Sequence, residues 1–440
     1  MISQEEQTRR FFETFMETQW WQPGRLQDLQ RENLSKLLRY ARRYVPFYAE
    51  RLDTVFRSDG SIDWSNWTRI PILRREDMLQ SGEQMRSMAM PGSHGRIRYE
   101  RTSGSTGDPV TVATSSYAGA ALSATIFRAH RWHDFDWSRN FAIRAGRGHP
   151  SHPVAEQLAK PLKWGPSWLS QSGGNMLHFE TTVDGEEMLS LMREHQAAYL
   201  GARPHRAHHM ALEAQRLGIE LKLDAIWAFG TATSQEARDD CLAAFDARVV
   251  SLYSSKEGQL MAIQCPSATH FHINDETTLL EIVDSDGRAC RAGELGRVIV
   301  TPIFNFAQPT IRYDHGDMAV AGGSSCVCGR HLGIIERIVG RTTHLFHLPD
   351  GRRISPLVPL DIGARIGARF WQVAQTAPLT IEFRYVGGSA SPEDRELIVN
   401  AIRRGTHHAF EVHLRPMTDL PRTAGGKYLE YVNDYAPGAI

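Results

Sequence analysis

The sequence predicts an α/β protein with a large N-terminal α/β domain, divided into subdomains, and a small C-terminal α+β domain. Three observations lead to this prediction. A chain of 440 residues exceeds what one hydrophobic core usually supports. Between residues 198 and 253, short apolar runs alternate with helical patterns, the order that builds a largely parallel sheet. After residue 340, strand-like runs flank a helical pattern, so we expect domains at 1–340 and 341–440.

The spacing of apolar residues predicts the N-terminal elements in order. Residues 5–55 are expected to be helical because Phe11, Phe12 and Phe15 recur at helical spacing, and Pro46 ends that pattern. The remaining elements of this region are a short helix entered from an extended segment at 70–78, strands at 97–101 and 110–113, and a helix at about 117–130.

The rest of the chain changes from an alternating to a β-rich pattern. Its middle part is predicted to contain helices at 207–216 and 235–245 between strands at 198–201, 225–229 and 249–253. Ligands bind beyond the carboxyl ends of strands in such sheets, so Gly230 and Ser254 begin candidate binding loops. The later elements are strands at 279–283, 296–301, 318–321 and 379–386, a helix at 392–404 and a strand at 411–414.

Composition and charge exclude several classes of function. The chain carries 50 basic and 50 acidic residues, so no field that attracts nucleic acid or a membrane surface is expected. The sequence contains no signal-peptide pattern and no apolar run long enough to cross a bilayer. The odd number of cysteines, five, and the long separations between most of them argue against a disulfide framework, and we expect a cytoplasmic protein in a reducing compartment.

The most informative stretch is the loop Thr102–Gly107, which reads Thr-Ser-Gly-Ser-Thr-Gly. Glycines permit positive φ and close approach of a ligand. Consecutive backbone N–H groups and hydroxyls in such a turn form a concavity for a pyrophosphate or triphosphate, although a plain surface turn is the alternative. The glycine spacing fits neither the G-x-x-x-x-G-K-[ST] nor the G-x-G-x-x-G pattern, which disfavours a Walker-type kinase and a Rossmann oxidoreductase.

Five motifs stand in a particular order along the chain. They are the loop just described, Tyr253–Glu257, Ile311–Asp317, Arg337–Arg341 and Pro421–Lys427. In this order they resemble the adenylate-forming superfamily of acyl-CoA synthetases and adenylation domains. The local sequences Lys36–Tyr48 and Cys326–Arg330 are similar to those of its phenylacetate–CoA ligase group. The resemblance covers nearly the whole chain.

The resemblance implies an AMP-forming acid–thiol ligase, with an aromatic acid as the favoured substrate. The acid carboxylate attacks the α-phosphate of ATP and releases pyrophosphate. Coenzyme A then takes the acyl group from the adenylate and AMP is released. Catalysis of the first step is mainly positioning and electrostatic stabilisation, with Mg²⁺ as the metal. A homodimer is also implied, and the C-terminal domain is expected to be mobile between the two steps.

The resemblance also assigns roles to individual residues. The β- and γ-phosphates would lie in the loop formed by Thr102, Ser103, Gly104, Ser105, Thr106 and Gly107. Glu257 would bind Mg²⁺ and Lys427 would bring a mobile positive charge to the carboxylate and α-phosphate, so both are expected to be catalytic. Tyr253 would stack near the adenine, Asp317 would accept hydrogen bonds from both ribose hydroxyls, and Arg337 would reach the ribose or the phosphates.

Four departures from the family pattern leave the acyl acceptor open. Asp108 stands where a lysine is frequent, and Ser254 and Lys256 replace a glycine and a small or hydroxyl residue. Gly230–Thr233 lacks the usual carboxylate, and Thr342–His344 replaces an acidic pair at the hinge. The last change concerns domain rotation, so transfer to an amine or to a carrier-protein thiol is the alternative. Non-catalytic nucleotide binding is a third hypothesis.

Cysteines and histidines indicate a second metal site. Cys326 and Cys328 supply two thiolates from one turn, and Cys265 is followed by His270 and His272, which share one face of any strand there. Three cysteines and one histidine would form a closed tetrahedral zinc site. We expect Cys265, His272, Cys326 and Cys328 as ligands, with His270 as the substitute. Buried free thiols are the alternative.

Overall fold

The computed structural model describes residues 2–102, 110–145, 162–180, 183, 185–230, 233, 235–341, 346–354, 362–368, 370–406, 408–421 and 431–435. These residues form a mixed α/β architecture with a twelve-stranded sheet, a four-stranded sheet and two two-stranded sheets, which confirms the predicted fold class. None of the helices in these ranges combines the length and the hydropathy of a membrane span.

The helices follow the amphipathic patterns of the sequence. The first of them, α1, is capped by Ser3, whose hydroxyl accepts a hydrogen bond from Glu6 N. The α-helices of the described ranges are α1 Gln4–Thr18, α2 Pro23–Tyr44, α3 Arg75–Ser81, α4 Ser116–Trp132, α5 Gly185–Glu194, α6 Pro204–Leu217, α7 Gln235–Phe245, α8 Ile362–Arg365 and α9 Pro392–Thr406.

Strands occupy the predicted apolar runs and several stretches that the sequence did not single out. They are β1 Ile97–Arg101, β2 Thr111–Ser115, β3 Asn140–Ala145, β4 Leu162–Lys163, β5 Asn175–Glu180, β6 Ala197–Ala202, β7 Ala225–Ala228, β8 Arg248–Ser255, β9 Gln259–Gln264, β10 Phe271–Ile273, β11 Thr278–Val283, β12 Leu295–Pro302, β13 Tyr313–Ala321, β14 Ile334–Arg341, β15 Phe346–His347, β16 Arg353–Ile354, β17 Phe370–Ala377, β18 Thr380–Val386, β19 Glu411–Pro416 and β20 Tyr431–Asn433.

The large sheet joins the alternating and the β-rich regions of the sequence. Its twelve strands follow the order β11-β12-β13-β14-β10-β9-β8-β7-β6-β3-β5-β4. Strands β5, β3, β6, β7 and β8 pair in parallel, as the alternating pattern predicts, and β8 then pairs antiparallel with β9. Every residue of β6 and β7 is buried, as expected for parallel strands covered on both faces.

The antiparallel half of this sheet curls. Tyr253 on β8 and Asp317 on β13 are four strands apart in the sheet order, which would separate them by about 19 Å in a flat sheet. Their side chains nevertheless share a hydrogen bond of 2.8 Å. The strands between them must therefore curve until the two residues face each other, and one hydrophobic cluster fills the inside of the curve.

Residues near the C-terminus have a sheet and a core of their own. Strands β19, β18, β17 and β20 form a four-stranded sheet in that order. A hydrophobic cluster that includes Phe346, Phe383 and Phe410 packs between this sheet and α9. A separate core of this kind is compatible with the predicted boundary at residue 340, which stays a prediction.

Next to the large sheet, α4 carries a buried charge. The side chain of Arg128 is fully buried, and its guanidinium donates to Glu276 Oε1 at 2.6 Å and to Asn274 Oδ1 at 2.8 Å. Thr18 on α1 donates to the same Glu276 oxygen at 2.7 Å. These bonds connect α1 and α4 to the segment that follows β10.

Beside this pair, Asp275 gives the protein a pH-dependent stability. Burial raises the pKa of its carboxyl from 3.8 to about 7, although Gly333 N donates to Oδ2 at 2.6 Å. The folded state thus holds a proton that the unfolded state releases near pH 4. This contribution to stability is complete below pH 4 and is lost as the pH rises through 7, by roughly 4 kcal/mol.

We therefore expect Asp275→Asn, which keeps an acceptor for Gly333 N but cannot ionise, to flatten the pH dependence of stability. Urea unfolding at pH 5 and pH 8 measures it. The free energy of unfolding should fall less between these two values in the variant than in the wild type. Equal falls in both proteins would contradict the assignment.

Candidate active site

The two strands that flank the loop Thr102–Gly107 form a hairpin. β1 and β2 pair antiparallel from Ile97 opposite Ser115 to Arg101 opposite Thr111. At the base of the loop, Thr102 N donates to Val110 O at 2.8 Å and Val110 N donates to Thr102 Oγ1 at 3.0 Å. Thr102 is buried, and its hydroxyl oxygen closes the base of the loop.

Contacts place this hairpin beside the strand that carries Tyr253 and beside the segment that precedes β13. Val110 and Val112 belong to the same hydrophobic cluster as Tyr253. On the outer strand, Glu100 forms an ion pair with Lys256, so the lysine that departs from the family pattern has a carboxylate partner. Backbone groups of β2 are also bound by Gln308 and Asn305, just before β13.

Glu257 lies in the turn between β8 and β9, and its carboxylate is buried. Arg75 at the start of α3 places Nη1 3.7 Å from Glu257 Oε1. The Glu257 carbonyl accepts a hydrogen bond from Thr310 Oγ1 at 3.3 Å. A buried carboxylate at a turn is a hard oxygen donor of the kind that Mg²⁺ prefers.

Asp317 is held by two side chains of the curled sheet. The Tyr253 hydroxyl donates to Asp317 Oδ2 at 2.8 Å, and His315 Nδ1 lies 2.6 Å from the same oxygen. All three side chains are buried. The Tyr253 ring packs at right angles to the His315 ring, with centroids 5.6 Å apart, and its predicted stacking on adenine stays a prediction.

The strand register separates Arg337 from Asp317. Arg337 is exposed and lies opposite Val320, whose side chain alternates to the other face of β13 from Asp317. The residue whose Cα lies opposite Asp317 is Arg341. The structure does not bring Arg337 together with Asp317, and its predicted contact with the ribose or phosphates stays a prediction.

Several predicted site residues lie outside the described part of the chain. These are Ser103, Gly104, Ser105, Thr106, Gly107 and Lys427. Asp108 and the hinge segment 342–344 also lie outside it. Their roles stay predictions that rest on the sequence.

The predicted zinc ligands come together. Cys265 Sγ lies 3.5 Å from Cys326 Sγ, and His272 Nε2 lies 3.2 Å from Cys328 Sγ. Donor atoms of Cys265, His270, His272 and Cys326 all fall within 4.8 Å of one another. Burial lowers the pKa of His272 to about 4, which keeps the imidazole in the neutral form that binds metals. The donor set suits zinc, and five donors are present for four positions.

Four of the five tryptophans between residues 132 and 227 pack as core. Trp132, Trp137, Trp164 and Trp227 are each at most 7% exposed and belong to one cluster of buried aromatic residues. Trp168 is half-buried against Phe12 and Phe127. Packing in a large core therefore accounts for these residues.

Sequence reasoning missed the contacts of Arg75 and His315. Arg75 follows an ordinary extended segment, and His315 sits inside a recognised motif without a role of its own. A signal was available for His315, because it lies two residues before Asp317 and therefore shares its face of a strand. No comparable local signal connects Arg75 with Glu257.

Comparisons with known proteins agree with this geometry. No family model matches the chain. The phenylacetate–coenzyme A ligase of Thermus thermophilus is 23% identical over 439 residues, which cover 92% of this chain and 95% of that protein. A structure of 2-hydroxyisobutyryl-CoA ligase with an acyl-AMP in the postadenylation state has a TM-score of 0.71 at 16% identity, covering 94% of this chain and 91% of that one.

A second solved structure has the same type of fold. Anthranilate CoA ligase in complex with anthranoyl-AMP has a TM-score of 0.55 at 15% identity, covering 76% of this chain and 65% of that one. The fold is thus that of adenylate-forming ligases. Together with the curated relative, it confirms the resemblance to this superfamily and to its phenylacetate–CoA ligase group.

Proposed function

We propose that the protein is an AMP-forming ligase that activates an organic acid, with aromatic acids as the favoured class, and transfers the acyl group to coenzyme A. The proposal is supported by two contacts of the loop-bearing hairpin: Glu100 pairs with Lys256, which precedes Glu257, and Val110 and Val112 cluster with Tyr253, whose hydroxyl donates to Asp317. Support for the chemistry comes from the 2-hydroxyisobutyryl-CoA ligase, which has been solved with an acyl-AMP and CoA in its thioesterification state.

The residues of this site would act mainly by charge and position. Backbone and hydroxyl donors of the loop would bind the phosphates, and Asp317 would accept from the ribose. Glu257 would hold Mg²⁺, which neutralises charge on the phosphates when it is bound. Lys427 would approach the carboxylate and α-phosphate from the C-terminal domain. That domain, residues 341–440 in this proposal, would rotate before the thioester forms.

Acid-dependent exchange of labelled pyrophosphate into ATP tests the proposal. A panel of aromatic and aliphatic acids should contain at least one that supports exchange, and Lys427→Ala should abolish it. Consumption of coenzyme A with the same acid then identifies the acceptor. The proposal fails if no acid supports exchange and the lysine variant behaves like the wild type.

Transfer to an amine or to a carrier-protein thiol is the second candidate. The observation that favours it is Thr342–His344, which stands at the hinge where the family has an acidic pair. With an acid that supports exchange, this candidate predicts AMP release upon addition of amines or a phosphopantetheinylated carrier protein, and no release with coenzyme A.

We also propose a structural zinc ion bound by Cys265, His272, Cys326 and Cys328, with His270 as the substitute ligand. It is supported by the contacts of Cys265 with Cys326 and of His272 with Cys328, and by the cluster of donor atoms from Cys265, His270, His272 and Cys326. Purified protein should contain about one zinc per chain, and Cys326→Ser should lose the metal and melt at a lower temperature. Cys290→Ser, outside the cluster, should keep the zinc. Metal-free wild-type protein would end this proposal.

A further inference from the structure

His315 has a role that the motif does not assign. Its Nδ1 lies 2.6 Å from Asp317 Oδ2, the oxygen to which the Tyr253 hydroxyl also donates at 2.8 Å. An ionised carboxylate can only accept hydrogen bonds, so Nδ1 carries the proton of this bond. Two donors from two strands therefore fix the orientation of the Asp317 carboxylate.

The surroundings make this arrangement costly to disturb. Tyr253, His315 and Asp317 are 6%, 7% and 7% exposed, so the carboxylate has little access to water. A hydrogen bond to a buried charge is worth more than one at the surface, and its loss leaves the charge poorly compensated. His315 thus does for Asp317 what solvent would do in an open site.

The local backbone explains why these two side chains meet. Residues two apart on a strand share a face, and His315 and Asp317 both lie on the buried face of β13. Gly316 between them has a φ of 77°, a conformation that favours glycine, and its amide donates to Asp314 Oδ1 at 3.0 Å. This backbone geometry brings the ring of His315 within hydrogen-bonding distance of the Asp317 carboxylate.

The ring has a second nitrogen, which distinguishes it from a simple donor. His315 Nε2 is buried and has no hydrogen-bond partner among the described residues. The polar contacts of the ring within the same part of the chain, with Asp317 and Tyr253, are both made on the Nδ1 side. Among the described residues, the shortest polar contact of the ring is therefore its hydrogen bond to Asp317.

We propose that His315 is a positioning residue for nucleotide recognition, which holds the Asp317 carboxylate in the orientation that accepts the ribose hydroxyls of ATP. The proposal rests on the proposed function, because it assumes that Asp317 binds the ribose. It assigns to His315 no contact with the reacting atoms. The proposal makes a selective prediction: the affinity for nucleotides that lack ribose hydroxyls should not depend on His315.

Calorimetric binding of ATP and of 2′,3′-dideoxy-ATP tests this signature without knowledge of the acid. Wild-type protein should prefer ATP by about tenfold or more, as expected for hydrogen bonds to a charged group. His315→Leu should lose most of this preference while its affinity for dideoxy-ATP stays within about twofold. His315→Asn offers a side-chain N–H near the position of Nδ1 and should keep the preference.

Each other outcome is decisive. If His315→Leu keeps the wild-type preference, the inference is wrong and the proposed function stands. If the variant lowers the affinity for both nucleotides equally, His315 serves only the fold and the inference is again wrong. If the wild type itself binds both nucleotides equally, the ribose role of Asp317 fails, and the inference fails with it.

Discussion

Glu257→Gln should lower the kcat/KM of acid-dependent ATP–pyrophosphate exchange by about 10²–10³-fold. The substitution preserves the shape of the side chain and removes the charge that would hold Mg²⁺ against the phosphates. It also removes the carboxylate that lies 3.7 Å from Arg75 Nη1. Exchange at saturating and subsaturating Mg²⁺ measures the effect.

Glu32→Gln is the matched control. Glu32 lies on α2 with 64% of its side chain exposed and pairs with Lys36 four residues later. Exposed pairs of this kind contribute little, so its exchange rate should equal that of the wild type. A Glu257→Gln variant with near-normal exchange at every Mg²⁺ concentration would exclude Glu257 as the metal ligand.

Arg128→Met should destabilise the protein by about 3–5 kcal/mol. The variant fills similar space but leaves Glu276 as a buried charge without its guanidinium, whose donated bond is 2.6 Å long. The hydrogen bonds to Asn274 and to the Phe15 carbonyl disappear as well. Urea unfolding near pH 7 measures the loss, seen as a lower midpoint at an unchanged slope.

Two further variants separate charge from packing at this site. Removing both charges, in Arg128→Met with Glu276→Met, should cost less than the single change because no unpaired charge is left in the core. Arg9→Met removes an exposed arginine whose side chain is 51% accessible and should stay within about 0.5 kcal/mol of the wild type. A loss below about 1 kcal/mol for Arg128→Met would contradict this account of the buried pair.

Local patterns predicted the elements well where one face of an element is buried. The helix at 117–130 is α4 and the strand at 110–113 is β2, because each packs several of its residues into the core. The strand at 97–101 is β1, which follows its alternating pattern although all five of its residues are exposed. β3 was missed because its run Asn-Phe-Ala-Ile-Arg-Ala carries polar residues at two positions, and β4 because it has only two residues.

The pairing of strands that are far apart in the chain could not be predicted from local sequence patterns. The curl of the sheet depends on β10 pairing with β14, about sixty residues later, and no local pattern encodes that register. The left-handed backbone of Arg312, with φ of 53°, is another tertiary effect, since its buried guanidinium bonds to Glu281 and to the Thr68 and Ile70 carbonyls.

The site was predicted residue by residue through its resemblance and not through its geometry. The motif order gave Glu257 and Asp317, while the bond between Tyr253 and Asp317 joins positions 64 residues apart. The arginine at 337 shows the limit of this approach, because only the register of β13 and β14 distinguishes the two faces on which Arg337 and Asp317 lie.

A crystal structure of the protein with bound AMP tests the central claim most directly. The account predicts ribose hydroxyls within about 3 Å of Asp317 and the phosphate directed toward the loop that begins at Thr102, on the side of Glu257. A nucleotide bound elsewhere, or a hairpin whose loop faces away from Glu257 and Asp317, would contradict it.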